Sequence, residues 1–578
     1  MVVSVVVLGL GAVLSGCRGG EDPSFDEPLT FPVEAFRGPT WLRGTVGSMA
    51  SLRNGEPMLV SGYGLMVNLE GTGSSEVPSF IRTYLINEMR KRGMPNPEQV
   101  LFDRDTAVVA LEGLIPAGVS RGERFDVLVS AVDSQTISLE GGDVWTVDLA
   151  PGPLDPNLRY VAPVAEASGA VFVEPSDEVE LEGEVTARRQ ALLVAGGRVT
   201  ADRVLELVLF QPSWQRSRLI ADRINERFPK APSDRLDTAR PMSDSLIRVR
   251  VPGYWQNQPE RFLEQALLLY TQRGSGFDER TTLALAERLA GHPEDERLIV
   301  AAWQALGRGV LPALRGLYDH ENELVRLSAL EAGAGLDDGR AARFLSEAIA
   351  GADSSTKLSV ARSLSLLGEN LEAGRALRRL LNDPDELVRV AAYEAMTLAG
   401  DPVIDRIPVF GERGLKMLID QVPAERPLVY VTFDQVPRVV YFGGPIPVPP
   451  GALARVWNGR LMVKVEGGGP MAVLYQGRGV RSRTLEMSPN LTELTYVLAH
   501  QPTLDRPQEG FDLSYGQTVD AVYELRAAGI FESDFRLRRS PLSELIEQMR
   551  GSAEGRPRTA SGDGGGGGIV DSSRVAGR

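Results

Sequence analysis

Cysteine and histidine are almost absent from this chain. Its 578 residues include one cysteine, Cys17, and three histidines, His292, His320 and His500, far apart in sequence. A zinc site or a Cys/His nucleophile pair has almost no raw material here. There is no basic surplus either: 62 Lys and Arg against 77 Asp and Glu leave a net charge of -15. Nucleic acid is therefore not an expected partner, because phosphates are held by clustered Lys and Arg. Without further cysteines, stability in an oxidising compartment has to come from the core and not from disulfides. Carboxylates are plentiful, so counting alone does not remove an acid/base or carboxylate-metal site. The length predicts several domains.

The N-terminal apolar run, residues 2–14, is shorter than the roughly 20 residues that span a bilayer and has the length of a signal-peptide core. It ends in Leu14-Ser15-Gly16-Cys17, which resembles a bacterial lipobox, whose cysteine is lipidated and becomes the first residue of the mature chain. The lone cysteine falls where that motif requires one. The other reading is a free cysteine in an apolar helix. No Lys or Arg precedes the run, as one normally does in a signal. The expectation is a signal peptide over 1–16 and a tether over 17–40, rich in Pro, Gly and acid, with the membrane reached by the lipid anchor only.

From 41 to 272 many short strands alternate with few helices, a mixed α+β pattern. Gly62-Tyr63-Gly64-Leu65-Met66-Val67-Asn68-Leu69-Glu70-Gly71-Thr72-Gly73 reads as a strand between glycines. Leu65, Val67 and Leu69 form its apolar face and Met66, Asn68 and Glu70 the other. Helices are expected near 78–92, 215–227 and 259–272. Strands are expected at 105–112, 122–132, 141–149, 170–173, 191–194, 205–209 and 246–251. A dinucleotide loop needs a third glycine where Val67 stands, and no Lys-Ser/Thr follows, so the glycines do not read as a phosphate cradle.

The stretch from Gly44 to Gly73 resembles the opening of the flagellar P-ring protein family, which reads Gly-Tyr-Gly-Leu-Val-Val-Gly-Leu-Asn-Gly-Thr-Gly. Later pieces keep the family's order: Leu114-Ile-Pro-Ala-Gly118, Phe125-Asp-Val-Leu-Val-Ser130, Ser138-Leu-Glu-Gly-Gly142, Ala221-Asp-Arg-Ile-Asn-Glu-Arg-Phe228 and Ile247-Arg-Val-Arg-Val-Pro252. Asn68 departs from the family's glycine. The resemblance implies a structural subunit, not an enzyme, that assembles with itself into a periplasmic ring around the flagellar rod. Rod and outer-ring proteins and the peptidoglycan layer are its implied neighbours, and no cofactor is implied. Gly62, Tyr63, Gly64, Gly71 and Gly73 are its framework motif.

From 273 to 422 the composition shifts to Leu, Ala, Arg and Glu. Four segments align on Glu296, Arg326, Lys357 and Arg389, spaced 30, 31 and 32 residues apart. Leu314-Arg315 recurs as Leu377-Arg378. A period near 31 with two amphipathic helices per unit resembles HEAT-type repeats, arrays that present surfaces to other proteins, so an unknown protein partner is expected there. Arg326, Lys357 and Arg389 form either a basic ladder on one face or a row of salt bridges to the adjacent repeat. The second reading is favoured.

Residues 423–550 turn back to strands, at 428–433, 438–442, 461–465 and 472–475, with a helix over 518–528. This β-rich part faintly resembles the family's late strands and terminal helix over 427–530. Residues 551–578, with five consecutive glycines, read as a disordered tail. The fold class expected is α+β: a β-rich P-ring-like domain interrupted by a helical solenoid and followed by a β-rich C-terminal part. The function expected is a P-ring-like subunit. The alternative is a cell-envelope lipoprotein scaffold that uses its repeats outside any flagellum.

Overall fold

The computed structural model describes residues 39–554, apart from 70, 155–160, 175–187, 257, 412–413, 434–435, 478–481, 539 and 541. Cys17, the signal and tether, and the glycine-rich tail lie outside the described residues. Among the described residues, no helix is long and apolar enough to cross a membrane.

A first short strand, β1 (Ala50–Arg53), precedes six strands that close a barrel. These are β2 (Met58–Val67), β3 (Ala107–Ile115), β4 (Arg124–Ala131), β5 (Asp143–Pro151), β6 (Ala165–Ala170) and β7 (Gln190–Val199), in the order β2-β3-β4-β7-β6-β5. All its pairings are antiparallel. Val60, Met66, Val109, Leu111, Val127, Val129 and Leu149 fill its interior. Outside, α1 (Ser79–Lys91) and α2 (Pro97–Leu101) cover Leu65 and Val108. Met66 is fully buried inside the barrel, although the alternation had set it on the more polar face. A closed barrel covered on the outside leaves such a strand no wet side.

Next to the barrel, β1, β8 (Leu205–Leu209), β9 (Ala239–Pro241) and β10 (Leu246–Val249) form an antiparallel sheet ordered β1-β8-β10-β9. It shares a core with α3 (Trp214–Arg227) and α4 (Pro259–Leu268), where Phe228 meets Phe262 edge to face at 5.1 Å. Helix α3 starts because the Ser213 side chain accepts the Arg216 N–H, which satisfies one orphan donor.

The helical array has α5 (Ser275–Gly291), α6 (Glu296–Leu306), α7 (Leu311–Leu317), α8 (Glu323–Gly335), α9 (Ala341–Ala348), α10 (Ser354–Ser365), α11 (Leu371–Leu380) and α12 (Glu386–Leu398). Its inner row runs α4-α6-α8-α10-α12, with α5, α7, α9 and α11 packed behind. The first rung, α4, thus belongs to the preceding unit. Buried Ala302, Ala305, Ala329, Ala332, Ala361, Ala392 and Ala395 let the helices approach closely. Asn322, Asp353 and Asp385 cap α8, α10 and α12 with their side chains, and their spacing of 31 and 32 residues repeats the sequence period.

Two strands, β11 (Asp405–Gly411) and β12 (Gly414–Val422), follow the array. These residues were expected to continue the helices. Instead they join β13 (Leu428–Thr432), β14 (Arg438–Phe442) and β19 (Asp534–Leu537) in a mixed sheet ordered β11-β12-β14-β13-β19. Pro408 sits in β11 at the sheet edge, where a missing N–H is tolerated. Strands β13 and β14 are buried on both faces. Leu428, Tyr430, Val440 and Phe442 join the core of the array, while Val429, Val431, Val439 and Tyr441 join the core of the C-terminal unit. That unit adds an antiparallel meander of β15 (Leu453–Val456), β16 (Leu461–Val465), β17 (Met471–Tyr475) and β18 (Arg483–Met487), with α13 (Leu491–Ala499), α14 (Tyr515–Ala527) and α15 (Leu542–Glu554). Helices α13 and α15 and strands β15, β18 and β19 were not read from the sequence.

The C-terminal unit returns to the barrel. Leu59, Phe172 and Leu192 belong to its core, the Phe172 ring lies 5.7 Å from that of Tyr515, and α15 lies against β3 and β4. The array is therefore bonded at both ends and bridges two β units.

Candidate functional site

The glycine motif lies at the seam where the barrel closes. Strand β2 pairs with β3 along its length, but with β5 only at Val60 and Ser61 and again at Met66 and Val67. Between those points five residues of β5 oppose four of β2, a bulge that bends the sheet into closure. Gly62 and Gly64 face this bulge from inside. A Cβ on Gly62 would lie 2.6 Å from the Asp148 carbonyl oxygen, and one on Gly64 would lie 2.3 Å from Val147 Cγ2. Beyond the strand a Cβ on Gly73 would lie 2.2 Å from the Thr106 carbonyl oxygen, because the Gly73 N–H already donates to Arg104 O at 3.0 Å. Gly71 has a φ of 84°. Asn68 has a φ of 67°, in the left-handed region where asparagine is the usual substitute for glycine.

Tyr63 points the other way. It helps to wall a cleft of about 480 Å³ between β2, β5 and α1, together with Tyr84, Met89, Met94 and Trp145. Arg92 and Asp148 pair at its mouth at 3.2 Å. Burial, then the Glu88 and Asp148 carboxylates, raise the Tyr84 hydroxyl above the usual tyrosine value, so it remains a neutral donor in an acidic cleft.

Residues 46–273 match the flagellar P-ring protein family. The match covers the barrel, the first sheet and α4, and stops before α5. Over 214 residues the chain is 27% identical to the flagellar P-ring protein of Aquifex aeolicus, covering 36% of this chain and 57% of that one. It is 27% identical to the one from Thermotoga maritima over 230 residues, 38% of this chain and 64% of that one. It is 30% identical to flagellar P-ring protein 1 of Photobacterium profundum over 201 residues, 33% and 50%. The chain thus spans about half to two thirds of the length of these relatives. The P-ring resemblance read from ordered motifs is matched over the same stretch.

The three basic residues of the array bind three unlike partners. Arg326 Nη1 donates to the His320 carbonyl at 2.7 Å. Lys357 Nζ meets the buried Asp383 of the next repeat at 2.8 Å. Arg389, 3% exposed, donates to the Arg426 carbonyl at 3.1 Å, beyond the array. A more regular bond escaped the sequence reading: Arg315 grips Asp338, and 63 residues on Arg378 grips Asp401, each through two hydrogen bonds. The recurrence of Leu314-Arg315 at Leu377-Arg378 was the available signal. At the start of the array, Arg227 at the end of α3 donates to the Gln304 carbonyl at 2.7 Å. Burial, with Arg223, Arg261 and Arg308 nearby, lowers its guanidinium to about 10.

Asp338 is 3% exposed and also accepts the Tyr318 hydroxyl at 2.9 Å. Burial alone would raise its carboxyl, but the bonds from Arg315 and Tyr318 outweigh it, and the carboxyl sits below its ordinary 3.8. A group depressed on folding stabilises the native state above its unfolded value and loses that contribution as pH falls through the folded value. Asp338→Asn is expected to cost about 1–3 kcal/mol at pH 7 and to flatten the loss of stability below about pH 4, as read by urea unfolding at several pH values.

Among the described residues, no group of three or more His, Cys, Asp or Glu is placed to hold a metal ion. His292 pairs with Glu294, His320 accepts the Asn322 N–H, and His500 stacks on Tyr496. These are separate structural contacts.

Proposed function

We propose that this chain is a structural subunit of a periplasmic ring like the flagellar P ring, built from copies of itself around a rod. The observation that carries the reading is the P-ring match over the barrel, first sheet and α4, with its framework glycines at the barrel seam. Ring closure requires head-to-tail contacts between unlike surfaces. Rod and outer-ring proteins and peptidoglycan are the neighbours this role implies, and Cys17 is the proposed lipid anchor. The HEAT-like array serves as a strut between the two β units, since both of its ends are covered by shared core. Its open lateral face keeps a second reading in view, an envelope lipoprotein scaffold that binds another protein through the repeats.

The deciding experiment purifies basal bodies from cells carrying a tagged chain. The ring reading expects the chain in the ring fraction and loss of motility on deletion. Absence from that fraction with normal motility would sink it and leave the scaffold. Cys17→Ser should move the chain out of the membrane fraction, and unchanged partitioning would remove the anchor.

A further inference from the structure

The sheet ordered β1-β8-β10-β9 has one face in the core, with Leu207 and Ile247, and one face outward. The strand registers set Arg53, Glu206, Arg248 and Arg240 in one row across the outer face, and Ser51, Val208, Leu246 and Met242 in the next. Alternation carries Arg250 onto this face beyond the first row and Phe210 beyond the second. One half of the face is therefore basic and the other apolar. Arg53, Arg240, Arg248 and Arg250 have no ion pair or side-chain hydrogen bond among the described residues, and Arg248 Nε is shielded from solvent without a partner. Val208, Phe210, Met242 and Leu246 join none of the hydrophobic cores, and Phe210 and Met242 are 43% and 42% exposed. Four unpaired cations beside four uncovered apolar side chains fit an occupant that is both acidic and apolar.

The chain carries such a segment. Residues 21–36 hold Glu21, Asp22, Asp26, Glu27 and Glu34, and no Lys or Arg. On an extended backbone Leu29, Phe31, Val33 and Ala35 fall on one side. Pro23, Pro28 and Pro32 restrict the backbone to extended forms, which lowers the entropy lost on docking. Residues 29–35 would span roughly 20 Å at about 3.3 Å per residue, and four strands roughly 4.8 Å apart present a face of similar width. The segment also arrives beside the right edge. The described chain begins at Pro39 and enters β1 at Ala50, and β1 pairs only with β8, so its other edge is free.

We propose that residues 21–36 lie across the outer face of this sheet in their own chain, with Leu29, Phe31 and Val33 on the apolar half and Asp26, Glu27 and Glu34 toward the arginines. Only residues 17–20 then remain free, roughly 13 Å of chain, and a lipid on Cys17 holds this sheet close to the membrane surface. That consequence rests on the proposed anchor, and the docking does not.

The test uses the full chain with Cys17→Ser, which removes its one cysteine, extracted in mild detergent. Phe31→Cys with Met242→Cys should oxidise within one chain, read as loss of alkylable thiol in the monomer band of a non-reducing gel. Phe31→Cys with Leu283→Cys is the control. Leu283 is 45% exposed on α5, the helix whose Arg288 lies over the Trp41 ring, so an undocked tether reaches it at least as readily. The first pair should close about tenfold or more faster than the control, because docking raises its effective concentration. Adding Arg240→Glu and Arg248→Glu should remove that advantage, with the circular-dichroism spectrum unchanged because neither side chain has an internal partner. Equal rates for the two pairs, an advantage that survives the charge reversal, or bonds formed only between copies would each overturn the docking. The ring reading is decided separately, by the basal-body fraction.

Discussion

Replacing Gly73 with valine should destabilise the chain by about 3 kcal/mol or more, at the upper end for overpacking. The cause is backbone against backbone. The added Cβ would sit 2.2 Å from the Thr106 carbonyl oxygen and 3.0 Å from that of Arg104. Both belong to the segment leading into β3, whose pairing with β2 is fixed along nine residue pairs. Neither oxygen can rotate away as a side chain would. Relief would require separating the seam from β3 and giving up the Gly73 N–H bond to Arg104 O. Gly291→Ala is the control, since nothing lies within 4 Å of a Cβ there. It should change stability by less than about 1 kcal/mol. Equilibrium urea unfolding separates the two. Equal midpoints would remove the close approach as the reason for glycine at position 73.

Removing Arg406 should have a similarly large effect at the other end of the molecule. Asp420 is fully buried in β12. It accepts Arg406 Nε at 2.9 Å, Arg406 Nη2 at 3.0 Å and the Tyr393 hydroxyl at 2.7 Å. The bonds to Asp420 raise the Arg406 guanidinium above its ordinary value. Burial, then the Asp420 charge, raise the Tyr393 hydroxyl. This triad ties the last helix of the array, α12, to the edge of the C-terminal sheet. Arg406→Ala leaves a buried carboxylate without its cation, which typically costs about 3–5 kcal/mol. Substituting both partners with apolar residues, Arg406→Met with Asp420→Leu, should recover much of that loss, because no charge is then stranded. A double variant as unstable as Arg406→Ala would mean that packing, and not the stranded charge, sets the cost.

Particular residues show how much was legible. The glycine motif, the order of later motifs and the period near 31 are local patterns; the structure has a strand at the first, though β2 runs Met58–Val67 with Gly62 and Gly64 inside it and not at its end, then helix α1, and it repeats the period in the caps Asn322, Asp353 and Asp385, which had not been picked out. The facing of Met66 was not legible, because period-2 alternation reveals a buried face only when the opposite face is wet. Strands β11 and β12 were missed because their segment, with Pro408 and mixed polar residues, lacks clean alternation. They pair with each other as a hairpin, and β14 then joins β12 in parallel and builds the hairpin into the sheet. The cleft at Tyr63 unites β2, α1 and β5, which no linear spacing could assemble.

The sequence by itself determined the P-ring resemblance, the helical period and the need for small residues at positions 62, 64 and 73. These follow from backbone conformation and short-range spacing. Tertiary structure alone decided what those small residues are for. Gly62, Gly64 and Gly73 are required because the β5 bulge and the Thr106 backbone lie against them, and those contacts exist only once the barrel has closed. It also decided that the array is a bridge between two β units. Its inner row begins at α4, and β13 and β14 carry one face into the array and the other into the C-terminal core. Shared burial of this kind depends on which distant elements meet, and the local pattern of any one element does not encode it.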